Sequence, residues 1–275
     1  MHDTASRRIP VSASAAARWA SALGEWAIPE EILAQAPAPP WVLPPALFRV
    51  GHESPDDPGR PSLEMARLAL GDGGTVLDVG CGGGAASLPL APPATSIVGF
   101  DQEPAMLSQF AGAFRRRGIP HRTVEGSWPP GAGAVEPADV VVCNHVVYNV
   151  AEIEPFILEL SAKARRRVVV ELTATHPTAP FNFLWQRFWG LDRPIEPTSS
   201  LFLEVLSELG LELEAQAFER PPAPHAISKE EYTAFVRQRL CLNQDRDHEV
   251  QAALEGQWPL GVGQLVAVSW SPAAS

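Results

Sequence analysis

The sequence predicts an α/β fold, with a mostly parallel sheet of seven strands, helices on both faces and a helical N-terminal appendage. Two observations carry this expectation. From Thr75 onward, short apolar runs alternate with helical stretches, the pattern of a parallel sheet buried on both sides. The first run leads straight into a glycine-rich turn, VLDVGCGGG at 76–84, where a chain leaving a buried strand must reverse tightly.

Taken in order, Trp19, Leu23 and Trp26 lie three and four apart and mark a helix within 12–35, which Pro29 restarts. Pro37, Pro39, Pro40, Pro44 and Pro45 make an extended connector. Residues 52–61 read as a turn-rich loop, and Ser62 is placed to cap a short helix through Leu70. Residues 1–70 therefore form the appendage and 71–275 the main domain. Strands fall at 76–79, 96–100, 121–125, 139–143 and 167–172, with helices near 84–91, 103–117 and 152–164. Gly118 stops the second of these helices. A helix over 199–209 ends at Gly210, an alternating run follows at 211–218, and a last apolar run lies at 264–270. Between those two runs, Ser228-x-x-Glu231 is a capping box, followed by Tyr232, Phe235, Val236 and Leu240 at helical spacing. About 224–258 is thus a helical insertion.

The chain has 275 residues, a length for one elaborated domain or a domain with an appendage. Its net charge of −11 repels phosphate backbones and anionic membrane surfaces, so nucleic acid is a disfavoured partner. Two arginine triplets, 115–117 and 165–167, each precede a strand. They lie at the sheet edge opposite the strand C-termini, where they complement helix dipoles rather than grip a ligand. Cys81, Cys143 and Cys241 are odd in number and widely spaced, which suits a reducing compartment, and no CxxC pair or histidine cluster suggests zinc. The uncharged stretch 79–100 holds five Gly and three Pro and cannot be a membrane helix. Ser6-Arg7-Arg8 is followed by Pro10 and Arg18 where an apolar export segment would run, so the expected location is the cytoplasm.

The glycine turn lets a ligand approach the backbone closely, and a helix N-terminus after it would favour a negative group. Asp101 follows the second strand about twenty residues beyond the turn, where a carboxylate can accept both hydroxyls of a ribose. With Pro104 close behind, Asp101 also suits a helix cap. A nucleoside-bearing ligand follows from these features. Gly80-x-Gly82-x-x-Ala85 equally fits a dinucleotide fingerprint, so a nicotinamide-dependent oxidoreductase stays open on the glycines alone.

Asp78 inside the first strand, Gly80, Gly82 and Gly84, and a fourth strand ending in CNHVVYN at 143–149 decide between them. With these features residues 62–275 resemble the class I S-adenosylmethionine-dependent methyltransferases, which implies a Rossmann-like sheet and S-adenosylmethionine as cofactor. The resemblance implies that the first motif, with Asp78, Gly80, Cys81, Gly82 and Gly84, holds the methionine part of that cofactor. GFDQEPAML at 99–107 resembles the second motif, placing Asp101 on the ribose and Gln102 near the adenine. VEGSWP at 124–129 resembles the adenine-lining segment, with Gly126, Ser127 and Trp128, although Ser127 stands where Asp or Asn is frequent. Asn144 would line the cofactor beneath the transferred methyl, and 264–270 resembles the antiparallel strand that this fold inserts beside strand six.

The implied activity is methyl transfer to a small, apolar or aromatic molecule. Phe181, Phe183, Trp185, Phe188 and Trp189, after the fifth strand, supply a candidate wall for it. In-line methyl transfer draws on proximity, alignment and exclusion of water. Where the accepting atom must lose a proton, His145, Tyr148 and His176 are the candidate bases. A non-catalytic S-adenosylmethionine-binding protein is the other alternative.

Overall fold

The computed structural model describes residues 13–41, 59–219, 228–256 and 263–272. Seven strands form one sheet: β1 (Gly74–Val79), β2 (Ala94–Asp101), β3 (His121–Glu125), β4 (Ala138–Asn144), β5 (Ala164–Thr173), β6 (Leu213–Glu219) and β7 (Gln264–Trp270). Their order is β3-β2-β1-β4-β5-β7-β6, with β7 antiparallel to β5 and β6 and the remaining pairs parallel. This is the Rossmann-like arrangement expected. Strand order reverses between β1 and β4, which opens the crevice where sheets of this kind bind ligands.

The described helices are α1 (Ala15–Gly24), α2 (Glu30–Leu33), α3 (Pro61–Leu70), α4 (Pro104–Arg116), α5 (Ile153–Ala162), α6 (Asn182–Trp189), α7 (Ser199–Glu208), α8 (Lys229–Arg239) and α9 (Asp247–Ala253). Alternation along the strands sorts the core into two layers. Leu77, Val141, Cys143, Val168 and Val170 pack with α1, α5 and α7 around Trp19, Phe156, Phe202 and Trp270. Val76, Val140, Val142 and Val169 face α3 and α4, with Leu63, Leu70, Phe110 and Phe114. Asp78 and Glu171 fall in register with this second layer, and both are fully buried. A third core joins Ile32 of α2, Leu184 and Trp185 of α6, Val236 of α8 and Val250 of α9. Three segments far apart in sequence thus build one helical cap.

The described residues of the 1–70 segment contribute to these layers. Trp19 of α1 is fully buried, stacks on Tyr148 at 5.4 Å and donates to the Val150 carbonyl at 2.9 Å. Helix α3 lies across β4 and β5. Pro44, Pro45, the loop 52–58 and the ends of the 224–258 insertion lie outside the described residues; within it α8 carries the expected capping box. Among the described residues, no helix is long and apolar enough to cross a membrane.

Three expectations need correction. Residues 84–91 form turns and a single 3-10 turn, Leu88–Leu90, in place of a helix. Three consecutive glycines leave helix formation costly, and Pro89, Pro92 and Pro93 withhold the amide donors that a helix would need. Ser62 is not the cap of α3, which begins at Pro61 with Arg60 preceding it; the Ser62 hydroxyl is drawn instead to Glu171. Strand β5 begins at Ala164, so the triplet 165–167 lies within its first half. Arg166 reaches from there to the carbonyls of Ala69 and Leu70 at the end of α3, and Arg115 and Arg116 close the last turn of α4. Both arrangements complement helix C-termini, away from the crevice.

Candidate active site

The glycine turn leaves β1 at the strand-order reversal. Gly80 and Gly84 have positive φ, and an added Cβ would come inside 3.0 Å of Val146 and Phe114 respectively, so packing admits only glycine there. Gly82 differs. Its φ is +49°, yet nothing lies within 4 Å of where its Cβ would stand. Because no helix follows the turn, no helix dipole acts here. The donors are loop amides, and they converge on Asp101: Gly82 N donates to Oδ2 at 2.9 Å and Glu103 N to Oδ1 at 3.0 Å. Each carboxylate oxygen keeps a lone pair for a further donor. Glu103, not Asp101, precedes α4 as its cap residue.

Asp78 and Cys81 lie beneath the turn rather than at its surface. Both are buried, and Asp78 Oδ2 accepts from Ser87 Oγ at 2.5 Å. Burial pushes Asp78 up to about 7, assisted by the Asp101 charge and opposed by the Ser87 hydrogen bond. A carboxyl raised by folding is fully compatible with the native state below its ordinary value of 3.8 and costs stability as pH rises towards 7. Urea unfolding of Asp78→Asn should therefore lose the decline that the native protein shows across that window. An unchanged pH profile would show that Asp78 does not titrate there. Burial likewise raises the Cys81 and Cys143 thiols, which makes both inert as nucleophiles.

Farther along the crevice, Gly126 and Gly131 clasp the Phe100 ring so closely that a Cβ on either would come within 2.9 Å of it. Trp128 sets its edge against Phe100 at 5.2 Å. Gln102 and Ser127 are exposed beside this shelf. The indole Nε1 of Trp128 and the Oδ1 of Asn144 are buried without a protein partner.

The candidate bases occupy unequal positions. The Tyr148 hydroxyl donates to the Thr173 carbonyl at 2.6 Å, and burial raises its pKa, so it is a locked structural donor. His176 stacks on Trp26 at 3.8 Å, and its Nδ1 accepts from Thr178 N at 3.3 Å with Thr178 Oγ1 2.8 Å away. Burial, then the charges of Arg239 and Arg193, lower it to about 3. It is a neutral ring whose lone pair is committed and whose Nε2 carries the proton.

His145 stands in a left-handed conformation at φ +61°, with its amide donating to the Glu171 carbonyl at 2.7 Å. Its Nε2 lies 3.1 Å from Glu171 Oε1. Glu171 is the residue that sequence reasoning missed. Buried on β5, it accepts Arg60 Nε at 2.7 Å, Arg60 Nη2 at 2.6 Å and Ser62 Oγ at 2.5 Å. Burial alone would raise its pKa, but hydrogen bonds from His145 and Arg60 and the Arg60 charge hold it well below the carboxylate range. An ionised carboxylate only accepts, so Nε2 of His145 bears the proton. Nδ1 is then the ring's acceptor, on a side chain 43% exposed at the crevice.

Most of the aromatic segment 181–189 builds the cap core. Leu184 and Trp185 are buried, Phe181 packs on Phe235 at 6.2 Å, and Trp189 Nε1 donates to the Leu240 carbonyl at 2.7 Å. Phe183 is exposed.

Sheet order, the glycine turn and the acidic end of β2 together make up the Rossmann-like α/β arrangement that the sequence resemblance implies. Residues 76–166 match the family model for a methyltransferase domain. An uncharacterized protein of Haemophilus influenzae is 33% identical over 103 residues, which cover 37% of this chain and 38% of that one. YcgJ of Bacillus subtilis and a Bacillus halodurans protein described as a candidate methyltransferase share the fold, each at 16% identity with a TM-score of 0.51. They cover 78% of this chain and 99% and 97% of their own. Residues 76–166 are thus similar to a methyltransferase domain, within a sheet of the Rossmann-like fold. The cofactor of such a domain fits what the residues offer: open space over Gly82, spare lone pairs on Asp101, and the partnerless Asn144 Oδ1 and Trp128 Nε1.

Proposed function

We propose that the protein transfers a methyl group from S-adenosylmethionine to a small, largely apolar or aromatic molecule. The observation that carries this reading is the Gly82–Asp101 pair at the strand-order reversal, a backbone open to close approach beside a carboxylate with acceptor capacity left. Gly80, Gly82 and Gly84 would hold the methionine part, Asp101 the ribose, and Gln102, Gly126, Ser127 and Trp128 the adenine, with Asn144 at the end of β4. The cofactor, when bound, supplies an electrophilic methyl on a sulfonium.

The chain's own residues supply placement and proton handling. The helical cap excludes water from the crevice. Among the three candidate bases, His145 alone has a free ring nitrogen, because Glu171 fixes its tautomer with Nδ1 as acceptor. His145 receives the proton of a hydroxyl or amine acceptor as the new bond to carbon forms. Tyr148 is a structural donor that meets the His176 ring edge-on, and His176 positions.

Calorimetry tests this reading with S-adenosylhomocysteine, S-adenosylmethionine and NADH. The methyltransferase ligands should bind with low micromolar affinity, about −8 kcal/mol. Asp101→Ala, if folded, should lose roughly 1.5–3 kcal/mol for each ribose hydrogen bond. Tight NADH binding without binding of S-adenosylmethionine would overturn the assignment.

A further inference from the structure

The helical cap carries two cations that, among the described residues, no carboxylate pairs with. Arg193 lies between the indoles of Trp26 and Trp185, 5.2 and 5.1 Å from their centroids, and its guanidinium donates to the carbonyls of Ala27 at 2.9 Å and of Trp26. Arg239 lies 5.6 Å from the Phe235 ring and donates to the Pro40 carbonyl at 3.3 Å. The Nε of each is buried without a partner. Burial lowers the pKa of both.

These bonds explain how the arginines tie residues 26–40 onto the cap, but not why charged groups do it. Backbone carbonyls carry no net charge, and a half-buried guanidinium ordinarily has a carboxylate beside it. The chain has 32 acidic residues against 21 basic ones, yet among the described residues no carboxylate is ion-paired with either arginine. Arg193 and His176 meet the same Trp26 ring, at 5.2 and 3.8 Å from its centroid, and the charges of Arg193 and Arg239 both act on His176, whose ring is neutral and offers Nε2–H. His176 in turn meets the Tyr148 ring edge-on at 5.4 Å, three residues from His145. Beyond the strand ends of β4 and β5, then, the described residues collect donors and positive charge with no carboxylate paired to either arginine.

We propose that Arg193, Arg239 and the Nε2–H of His176 form a subsite for an oxyanion, a carboxylate or phosphate group borne by the methyl acceptor. The inference rests on the methyltransferase reading and sharpens it: the acceptor is an apolar or aromatic acid. Trp26 and Trp185 hold the Arg193 guanidinium between them, and the arginines anchor the acid's charge. Bidentate geometry and aromatic stacking are what guanidinium groups provide for such ligands.

Ligand-observed NMR on the full chain saturated with S-adenosylhomocysteine can use benzoate and phenyl phosphate as probes, with benzamide as the neutral analogue of benzoate. Benzoate, phenyl phosphate or both should bind roughly ten- to a hundredfold more tightly than benzamide, the range of a charged hydrogen bond. Which anion binds more tightly separates carboxylate from phosphate. Arg193→Gln and Arg239→Gln, which keep an amide donor for the carbonyls, should remove most of that preference, whereas Arg239→Lys should retain it. In the native protein the His176 ring signals should shift with the anion and not with benzamide, which locates the site even if a glutamine variant fails to fold. Equal binding of the charged and neutral probes overturns the proposal, as does an anion preference with unmoved His176 signals. S-adenosylhomocysteine binding in the same samples separates these outcomes from a failure of the methyltransferase assignment.

Discussion

Glu171→Gln should destabilise the protein by about 3–5 kcal/mol, because it leaves the Arg60 guanidinium buried and uncompensated. Arg60 is 5% exposed and Glu171 0%, and the two meet through Nε and Nη2 of the guanidinium. Urea unfolding measures the loss. The double variant Arg60→Met/Glu171→Leu should recover most of it, since replacing a buried pair by apolar groups of similar volume is often neutral. It also leaves His145 without the acceptor that sets its tautomer. The double variant should therefore be stable and bind S-adenosylhomocysteine normally, with kcat reduced and the acceptor KM little changed. Equal kcat in wild type and double variant would reduce Glu171 to a structural residue and remove His145 as base. The acid limb gives a second check. A glutamate whose pKa is depressed by folding contributes stability that is complete above its ordinary value of 4.5 and is lost as pH falls towards the lower folded value. Wild type should lose stability in acid faster than the double variant.

What could be read from the sequence follows which interactions are local. The parallel core was legible because burial on both faces writes continuous apolar runs, and the glycine turn was legible because positive φ at 80, 82 and 84 restricts residue choice within a few positions. The expected helix over 84–91 failed where two local signals compete: apolar spacing favours it, and Pro89 with the glycine run forbids it. The partner of His145 is 26 residues away on the neighbouring strand, where β4–β5 register sets Asn144 opposite Glu171. One signal did exist, since Glu171 interrupts the run Val168, Val169, Val170, Leu172, and a carboxylate in a strand buried on both faces requires a cation nearby. That the cation comes from Arg60, ahead of α3, no spacing rule reveals. The cap was invisible for the same reason, as it joins residues near 32, 185 and 236.

Gly80→Ala and Gly82→Ala should part company, although both glycines have positive φ and lie two residues apart. At position 80 a methyl group would meet Val146 inside 3.0 Å, on the segment that also carries Asn144 and His145. Left-handed strain and overpacking together should cost about 2–5 kcal/mol and displace the end of β4. At position 82 the new methyl has nothing within 4 Å, so the variant should bear only the strain, about 1–2 kcal/mol, and fold. On the proposed reading, the space it enters is the space a bound cofactor needs. S-adenosylhomocysteine affinity should therefore fall roughly ten- to a hundredfold, an overpacking penalty of about 1–3 kcal/mol expressed in binding rather than in folding. Circular dichroism and urea unfolding establish the first half, and calorimetry the second. If Gly82→Ala folds and binds S-adenosylhomocysteine as tightly as wild type, the cofactor does not lie against this turn. The crevice at the β1–β4 reversal would then have to be occupied in some other way.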